Sequence, residues 1–128
     1  MSEPIRVLVV DDQLRARQSL KTLLATCPQI KEVREAALAR EAVSLIQESQ
    51  PDVVLMDVQM PEMNGMQATR LVKLQWPQVK VIILTLYAEY AAEARAAGAD
   101  AFICKGEPAG KLLTTLMTVA TDNGQRSI

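Results

Sequence analysis

The chain has 128 residues and is 49% hydrophobic, a length and composition typical of one domain with a single hydrophobic core. Its 14 basic and 15 acidic residues are interspersed and give a formal net charge of −1, so no nucleic-acid-binding patch is indicated and any DNA contact would need another domain. The sequence contains no histidine, which excludes His-based catalytic triads and His-ligated metal sites.

The first half of the chain predicts two strands, each followed by a helix. The run IRVLVV at 5–10 is apolar almost throughout, which is typical of a strand buried on both faces. The run IKEVREA at 30–36 carries more charge, which favours the edge of a sheet. Apolar residues at helical spacing follow each strand, and Pro28 and Pro51 end the two helices. The two apolar stripes are Ala16, Leu20, Leu23, Leu24 and Cys27, and Ala39, Ala42, Val43 and Ile46.

The second half predicts three more strands and three more helices. The strands are DVVLM at 52–56, VKVIILTL at 79–86 and DAFIC at 100–104. The third helix is predicted over about 66–75, the fourth is closed by Gly98 as a C-terminal cap, and the fifth begins near Pro108. The apolar stripes of the last two helices are Tyr87, Tyr90, Ala91 and Ala94, and Ala109, Leu112, Leu113, Leu116, Met117 and Ala120.

This alternation predicts an α/β fold with a doubly wound, five-stranded parallel sheet between two layers of helices, in the flavodoxin-like strand order 2-1-3-4-5. We expect one domain over 1–122 and a flexible tail or the start of a linker over 123–128. In this order strands 1 and 3 are neighbours, and ligands bind at their carboxyl ends, where the winding reverses. Asp11 and Asp12 end strand 1 and Asp57 ends strand 3, so the three carboxylates are predicted to meet.

Three carboxylates in one cleft repel one another and resist burial unless a cation lies between them. Hard oxygen ligands suit Mg²⁺, or alternatively Mn²⁺, and both ions leave positions open for phosphate oxygens. Thr85 and Lys105 follow strands 4 and 5 and add a hydroxyl and a positive charge to the same edge. The combination predicts phosphoryl transfer, with Asp57 as the nucleophile.

Two cysteines, Cys27 and Cys104, in a chain of this size indicate free thiols and a reducing compartment. The apolar run near the N-terminus has six residues, too few for a signal-peptide core or a membrane span. We therefore expect a soluble, cytoplasmic protein that has no membrane partner.

Each candidate residue also has a purely structural interpretation. Asp57 could be a turn residue, Asp12 the N-cap of the first helix, Thr85 a β-branched strand end and Lys105 a solvated one. Met60, Met63 and Met66 could hold Cu(I), although methionines more often fill gaps in a core. Cys104 could be an activated thiol, but a small hydrophobic residue in a strand is the simpler interpretation. Arg15 and Arg17 are either a solvated face or part of a surface that docks a kinase.

Four motifs together resemble the receiver domains of response regulators. They are VVDDQ, VLMDVQMPEMNG, ILTL and AFICKG, in this order at the ends of strands 1, 3, 4 and 5. The resemblance covers about 5–120, and it is strongest to receivers that precede a helix-turn-helix transcriptional output domain. It therefore implies a role in two-component signal transduction and transcription regulation.

The resemblance also assigns roles to individual residues. Asp57 is expected to accept a phosphoryl group from a phosphohistidine of a sensor histidine kinase or a phosphotransfer protein. Asp12, Asp57 and the main-chain carbonyl of Gln59 are expected to bind Mg²⁺, with help from Asp11, often through water. The remaining roles implied are that Thr85 bonds the phosphoryl group, that Lys105 pairs with it, and that Phe102 changes rotamer together with Thr85.

Three features depart from the habit of the family. Gly106 stands where proline usually follows the lysine, the segment from Thr85 to Gly98 is about two residues shorter than usual, and the sequence holds no output domain. The shortened segment contributes to the surface from strand 4 to helix 5, which we expect to switch on phosphorylation. A phosphorylation-dependent homodimer is a further hypothesis.

Two other functions stay open at this point. The domain could act by contact alone, without phosphorylation, or it could be an aspartate-nucleophile phosphatase. The phosphatase usually needs a second acid two residues after its nucleophile, and that position is Gln59. Under the receiver interpretation the domain is not an enzyme and catalyses only its own phosphorylation and dephosphorylation.

Overall fold

The computed structural model describes residues 4–121, so the predicted tail at 123–128 lies outside the described part of the chain. Five strands alternate with five helices. The strands are β1 (Ile5–Val10), β2 (Ile30–Ala36), β3 (Val53–Asp57), β4 (Lys80–Thr85) and β5 (Ala101–Cys104). The helices are α1 (Leu14–Leu24), α2 (Ala39–Ser49), α3 (Gly65–Gln75), α4 (Ala91–Ala96) and α5 (Ala109–Ala120), and a 3₁₀ turn (Ala88–Tyr90) precedes α4.

All five strands are parallel and lie in the order β2-β1-β3-β4-β5, which confirms the predicted topology. Strands β1 and β3 are neighbours, with Val10 opposite Met56. Asp57 is opposite Leu84, and Thr85 is opposite Cys104. The winding reverses between β1 and β3, so the carboxyl ends of the central strands share one edge of the sheet.

Buried side chains form one hydrophobic cluster on each face of the sheet, because successive residues of a strand point to opposite faces. Helices α2, α3 and α4 cover one face and contribute Ala42, Ile46, Met66, Val72 and Ala94 to its cluster. Helices α1 and α5 cover the other face and contribute Leu24, Leu112, Leu116 and Val119. The predicted three layers are therefore confirmed, and no helix within residues 4–121 is long and apolar enough to cross a membrane.

The two edge strands differ from the central ones. Strand β2 has the charged sequence IKEVREA, as predicted for an edge, and β5 is only four residues long. The three strands between them are buried almost throughout.

Two helix predictions were wrong in detail. Helix α1 ends at Leu24 rather than at Pro28, because the N–H groups of Thr26 and Cys27 donate to the carbonyls three residues back, at 3.1 Å each, and the chain turns there. Cys27 consequently lies beyond the helix. Tyr87 does not belong to the stripe of α4: it precedes the 3₁₀ turn, and 43% of its surface is exposed. The Tyr87 N–H donates to the Thr85 hydroxyl at 3.3 Å, which directs the chain away from a helix there.

Candidate functional site

The three predicted acids meet at the carboxyl edge of the sheet. Asp11 directly follows β1, Asp12 is the next residue, and Asp57 is the last residue of β3. One carboxylate oxygen from each residue lies within 4.8 Å of the others. Asp11 and Asp57 are 1% and 9% exposed, so two of these charges are almost withdrawn from solvent. Such a set of oxygen donors fits a hard divalent cation.

Every polar atom of Asp11 has a partner. Its N–H donates to the Ala36 carbonyl at 3.1 Å, and its own carbonyl accepts from Nη1 of Arg17 at 2.8 Å. Its Oδ1 accepts from the Gln13 N–H at 2.9 Å, and its Oδ2 accepts from Nζ of Lys105 at 2.9 Å. Asp11 is therefore the most firmly held of the three acids.

Lys105 connects two of the acids. Its Nζ lies 2.9 Å from Oδ2 of Asp11 and 3.7 Å from Oδ1 of Asp57. Burial acts to lower the pKa of Lys105, but the hydrogen bond to Asp11 and the charge of Asp57 raise this pKa above its ordinary value. The lysine consequently stays charged, and its contacts with two acids argue against the alternative of a merely solvated strand end.

Burial raises the pKa of Asp57 to about 6. The charge of Lys105 and a hydrogen bond from the Val58 N–H, at 2.9 Å, act in the opposite direction, whereas the charges of Asp11 and Asp12 add to the rise. The carboxylate of Asp57 is thus destabilised by its surroundings when no cation is bound.

We expect this destabilisation to appear in the pH dependence of unfolding without divalent cations. An unfolded Asp57 has a pKa near 3.8, so the folded state binds its proton more tightly between about pH 4 and pH 6. The free energy of unfolding should therefore fall as pH rises through this window, by up to about 3 kcal/mol from this residue. Asp57→Asn lacks the effect and should be more stable than wild type at pH 7 by about 2 kcal/mol or more.

The measurement is urea unfolding of both proteins in EDTA at pH 4.5 and pH 7. Glu48→Gln removes an acid whose side chain is 71% exposed, and it should change stability little at either pH. If Asp57→Asn is no more stable than wild type at pH 7, the raised pKa of Asp57 is contradicted.

Thr85 lies beside Lys105 and is 2% exposed. The Lys105 N–H donates to the Thr85 carbonyl at 2.6 Å, and the Thr85 hydroxyl accepts from the Tyr87 N–H. Phe102 lies two positions before Cys104 on β5, is partly buried, and packs against the cluster on the face of α2, α3 and α4. Thr85 is therefore next to a residue that contacts the acids, whereas Phe102 belongs to the hydrophobic cluster on one face of the sheet.

A cleft of about 450 Å³ opens next to Asp12. Gln59, Asn64, Tyr90 and Glu93 are among its lining residues, so it lies between the β3–α3 loop and α4. Gln59 is exposed, and its position in the cleft places the β3–α3 loop beside the acids. A small phosphorylated molecule or a side chain of a partner has room to approach from this side.

The glycine at the start of α3 packs directly against the backbone of the nucleophile candidate. A Cβ at Gly65 would collide with the Asp57 carbonyl oxygen, and the Gly65 N–H donates to the Val58 carbonyl at 2.8 Å. Asn64 caps the same helix, because its Oδ1 accepts from the Gln67 N–H at 2.9 Å. This contact fixes the loop that follows Asp57, and no feature of the sequence indicated it.

The structure also decides several structural alternatives. The N-cap of α1 is Gln13, so Asp12 does not take the alternative role of N-cap. Met60 and Met63 pack against the core and Met66 is buried, which agrees with gap-filling rather than copper binding. The two cysteines are free thiols, as predicted.

The comparison with known protein families decides what kind of domain carries this site. A family model described as a response regulator receiver domain matches residues 7–117. The chain belongs to this family. Receivers of this family are generally signalling domains rather than enzymes, and they interact with histidine kinases or phosphotransfer proteins.

Relatives of this receiver are transcriptional regulators. The transcriptional regulatory protein YhcZ of Bacillus subtilis is 38% identical over 113 residues, which cover 87% of this chain and 53% of that protein. The response regulator protein VraR of Staphylococcus aureus is 40% identical over 103 residues, covering 79% of this chain and 49% of that protein. The receiver therefore spans about half the length of the relatives it matches.

Solved structures agree with this assignment. A two-component response regulator of the LuxR family from Aurantimonas sp. SI85-9A1 superposes with a TM-score of 0.87 at 29% identity, covering 92% of this chain and 86% of that one. The response regulator domain of Thermotoga maritima CheB gives a TM-score of 0.85 at 33% identity, covering 92% of this chain and 97% of that one. The flavodoxin-like fold is therefore shared with known receivers.

Proposed function

We propose that Asp57 is the phospho-acceptor of this receiver and that a sensor histidine kinase or a phosphotransfer protein is the donor. The observation that carries the proposal is the position of the Asp57 carboxylate, beside two other acids and 3.7 Å from Nζ of Lys105. In the reaction an Asp57 carboxylate oxygen forms a bond to phosphorus, the phosphorus–nitrogen bond of phosphohistidine breaks, and the imidazole leaves with the electron pair. The product is an aspartyl phosphate.

The acid cluster is the proposed site of Mg²⁺, which Mn²⁺ could replace. Asp12, Asp57 and the main-chain carbonyl of Gln59 would bind the ion. Both carboxylate oxygens of Asp11 already accept hydrogen bonds, from Gln13 and Lys105, which favours a contribution through water. When bound, the ion neutralises negative charge on the transferring phosphoryl oxygens.

The side chains around Asp57 have separate roles in this proposal. Lys105 supplies a positive charge to the phosphoryl group, and the Thr85 hydroxyl turns from the Tyr87 N–H toward it. The movement of Thr85 leaves room for Phe102 to rotate. The surface from β4 to α5 then changes its preferred conformation, which is a shift between two states.

The partners of this surface follow from the relatives. Those proteins are about twice as long as the matched region and are named as transcriptional regulators, so we propose that this receiver controls a transcriptional output domain, with domain limits near 1–122. A phosphorylation-dependent homodimer is the proposed route of control. Cys27 and Cys104 as free thiols support a location in the cytoplasm.

Intact mass after incubation with acetyl phosphate tests the proposal. Wild type should gain one phosphoryl group in Mg²⁺ and none in EDTA, and Asp57→Ala should gain none under either condition. Glu48→Gln is the matched control and should behave as wild type. A gain that persists in Asp57→Ala, or that ignores Mg²⁺, would contradict the proposal. Turnover of a generic phosphate ester would instead support the phosphatase, although Gln59 in place of a second acid argues against it.

Tyr87 is expected to slow the loss of the phosphoryl group. It lies two residues beyond Thr85, and its ring meets that of Tyr90 edge-on at a centroid distance of 6.2 Å. We propose that the ring covers one path for water to Asp57. We expect Tyr87→Ala to speed dephosphorylation about fivefold, equivalent to about 1 kcal/mol in the barrier. The decay of phosphorylated protein, followed by intact mass, measures this rate. Glu89→Gln is the control, and an unchanged rate in Tyr87→Ala would remove the hypothesis.

A further inference from the structure

We propose that Arg17 is a positioning residue for the metal-binding acids: it holds the main-chain carbonyl of Asp11 and through it the orientation of Asp12. The inference rests on the proposed function, because it concerns the same Mg²⁺ site. From the sequence alone, Arg17 could be either a solvated residue or part of a docking surface. The side chain is only 14% exposed, which removes the first of these interpretations.

The Arg17 guanidinium joins α1 to two strands. Its Nη1 donates to the Asp11 carbonyl at 2.8 Å, and its Nε donates to Oε1 of Glu35, on β2, at 2.9 Å. The second oxygen of Glu35 accepts from Nζ of Lys21 at 2.8 Å. Glu35 is thereby held by two cations, and it fixes the direction in which Arg17 presents its remaining donors.

The bond to the Asp11 carbonyl bears directly on Asp12. The carbonyl of Asp11 and the N–H of Asp12 belong to one planar peptide unit, so fixing the carbonyl fixes this unit. Within residues 4–121 the Asp12 carboxylate accepts no hydrogen bond of its own. The direction of its Cα–Cβ bond, from which the carboxylate extends, is therefore determined by the backbone, which Arg17 holds on one side and the Gln13 N–H, bonded to Oδ1 of Asp11, holds on the other.

This role requires the shape of arginine. The guanidinium is planar and carries donors that point in different directions, so it reaches a carbonyl and a carboxylate at the same time. Lysine has the same charge but a single donor atom at the end of a flexible chain. Arg17→Lys should therefore keep the charge near the acids and lose the fixed geometry of the peptide unit.

Calorimetric titration with Mg²⁺ tests the proposal on the full chain. We expect Arg17→Ala to raise the Kd for Mg²⁺ about 10-fold and Arg17→Lys to raise it to a smaller extent, as when a residue that supports a metal ligand is lost. The rate of phosphorylation by acetyl phosphate should fall at low Mg²⁺ and return to within about twofold of wild type at saturating Mg²⁺.

Lys21→Ala is the matched control, because Lys21 bonds to the other carboxylate oxygen of Glu35 and does not touch Asp11. It should leave the Kd for Mg²⁺ unchanged, whereas a merely structural role of Arg17 would lower the Tm and leave the Kd as in wild type. An Arg17→Lys variant that is folded and binds Mg²⁺ like wild type overturns the inference alone. A wild type that binds no Mg²⁺ overturns the proposed function and the inference together.

Discussion

Replacing Lys105 with alanine should destabilise the domain by about 3–5 kcal/mol at pH 7 in the absence of divalent cations. The substitution removes the cation that Asp11 and Asp57 both face, at 2.9 Å and 3.7 Å. Asp11 is 1% exposed, so water cannot solvate its charge after Lys105 is removed. Urea unfolding in EDTA measures the loss.

A second substitution separates the loss of charge balance from the loss of packing. Asp57→Asn combined with Lys105→Ala removes one of the two uncompensated carboxylates, and we expect it to recover part of the lost stability. Lys111→Ala serves as the control, since its partner Glu107 is on the surface and the loss of that ion pair should have little effect. If Lys105→Ala is as stable as Lys111→Ala, Lys105 does not compensate the charges of Asp11 and Asp57 as argued.

Among substitutions that add one methyl group near the site, Gly65→Ala should destabilise the domain most. The new Cβ would collide with the Asp57 carbonyl oxygen, which belongs to the backbone of a central strand and cannot rotate away. We expect a loss of about 3 kcal/mol in the free energy of unfolding, at the upper end for overpacking, and slower phosphorylation because Asp57 must shift.

Gly110→Ala is a matched comparison, because a Cβ there meets no atom within 4 Å. Gly110 lies in the first turn of α5, where alanine should be neutral or stabilise by up to about 1 kcal/mol. Thermal unfolding and the rate of phosphorylation by acetyl phosphate should therefore separate the two variants clearly. Equal effects of the two substitutions would show that the contact between Gly65 and Asp57 is unimportant.

The sheet was predictable because its strands carry a strong signal. Strands β1 and β2 have the predicted bounds, since a buried parallel strand is a continuous apolar run and an edge strand carries charge. Helix ends were less predictable. Pro28 is the obvious stop signal for α1, yet the helix ends earlier in a turn whose backbone N–H groups, from Thr26 and Cys27, bond to carbonyls three residues back.

The acids and Lys105 were predictable for a topological reason. Parallel strands bring their carboxyl ends to one edge, so the acids at the ends of the neighbouring strands β1 and β3 must be close together, and the long side chain of Lys105 reaches them from the end of β5. The contacts of Arg17 and Gly65 were not predictable in this way. They depend on the rotation of α1 about its axis and on the distance between α3 and β3. The spacing of residues in the sequence predicts neither of these quantities.

The two edge strands of the sheet influence whether the protein aggregates at high concentration. An exposed strand edge invites the strand of another molecule to add to it, which is a common first step of aggregation. Here β2 has charged residues along such an edge and β5 offers only four residues for pairing. We therefore expect two copies of this receiver to contact each other through their helices and not to form a shared, intermolecular sheet.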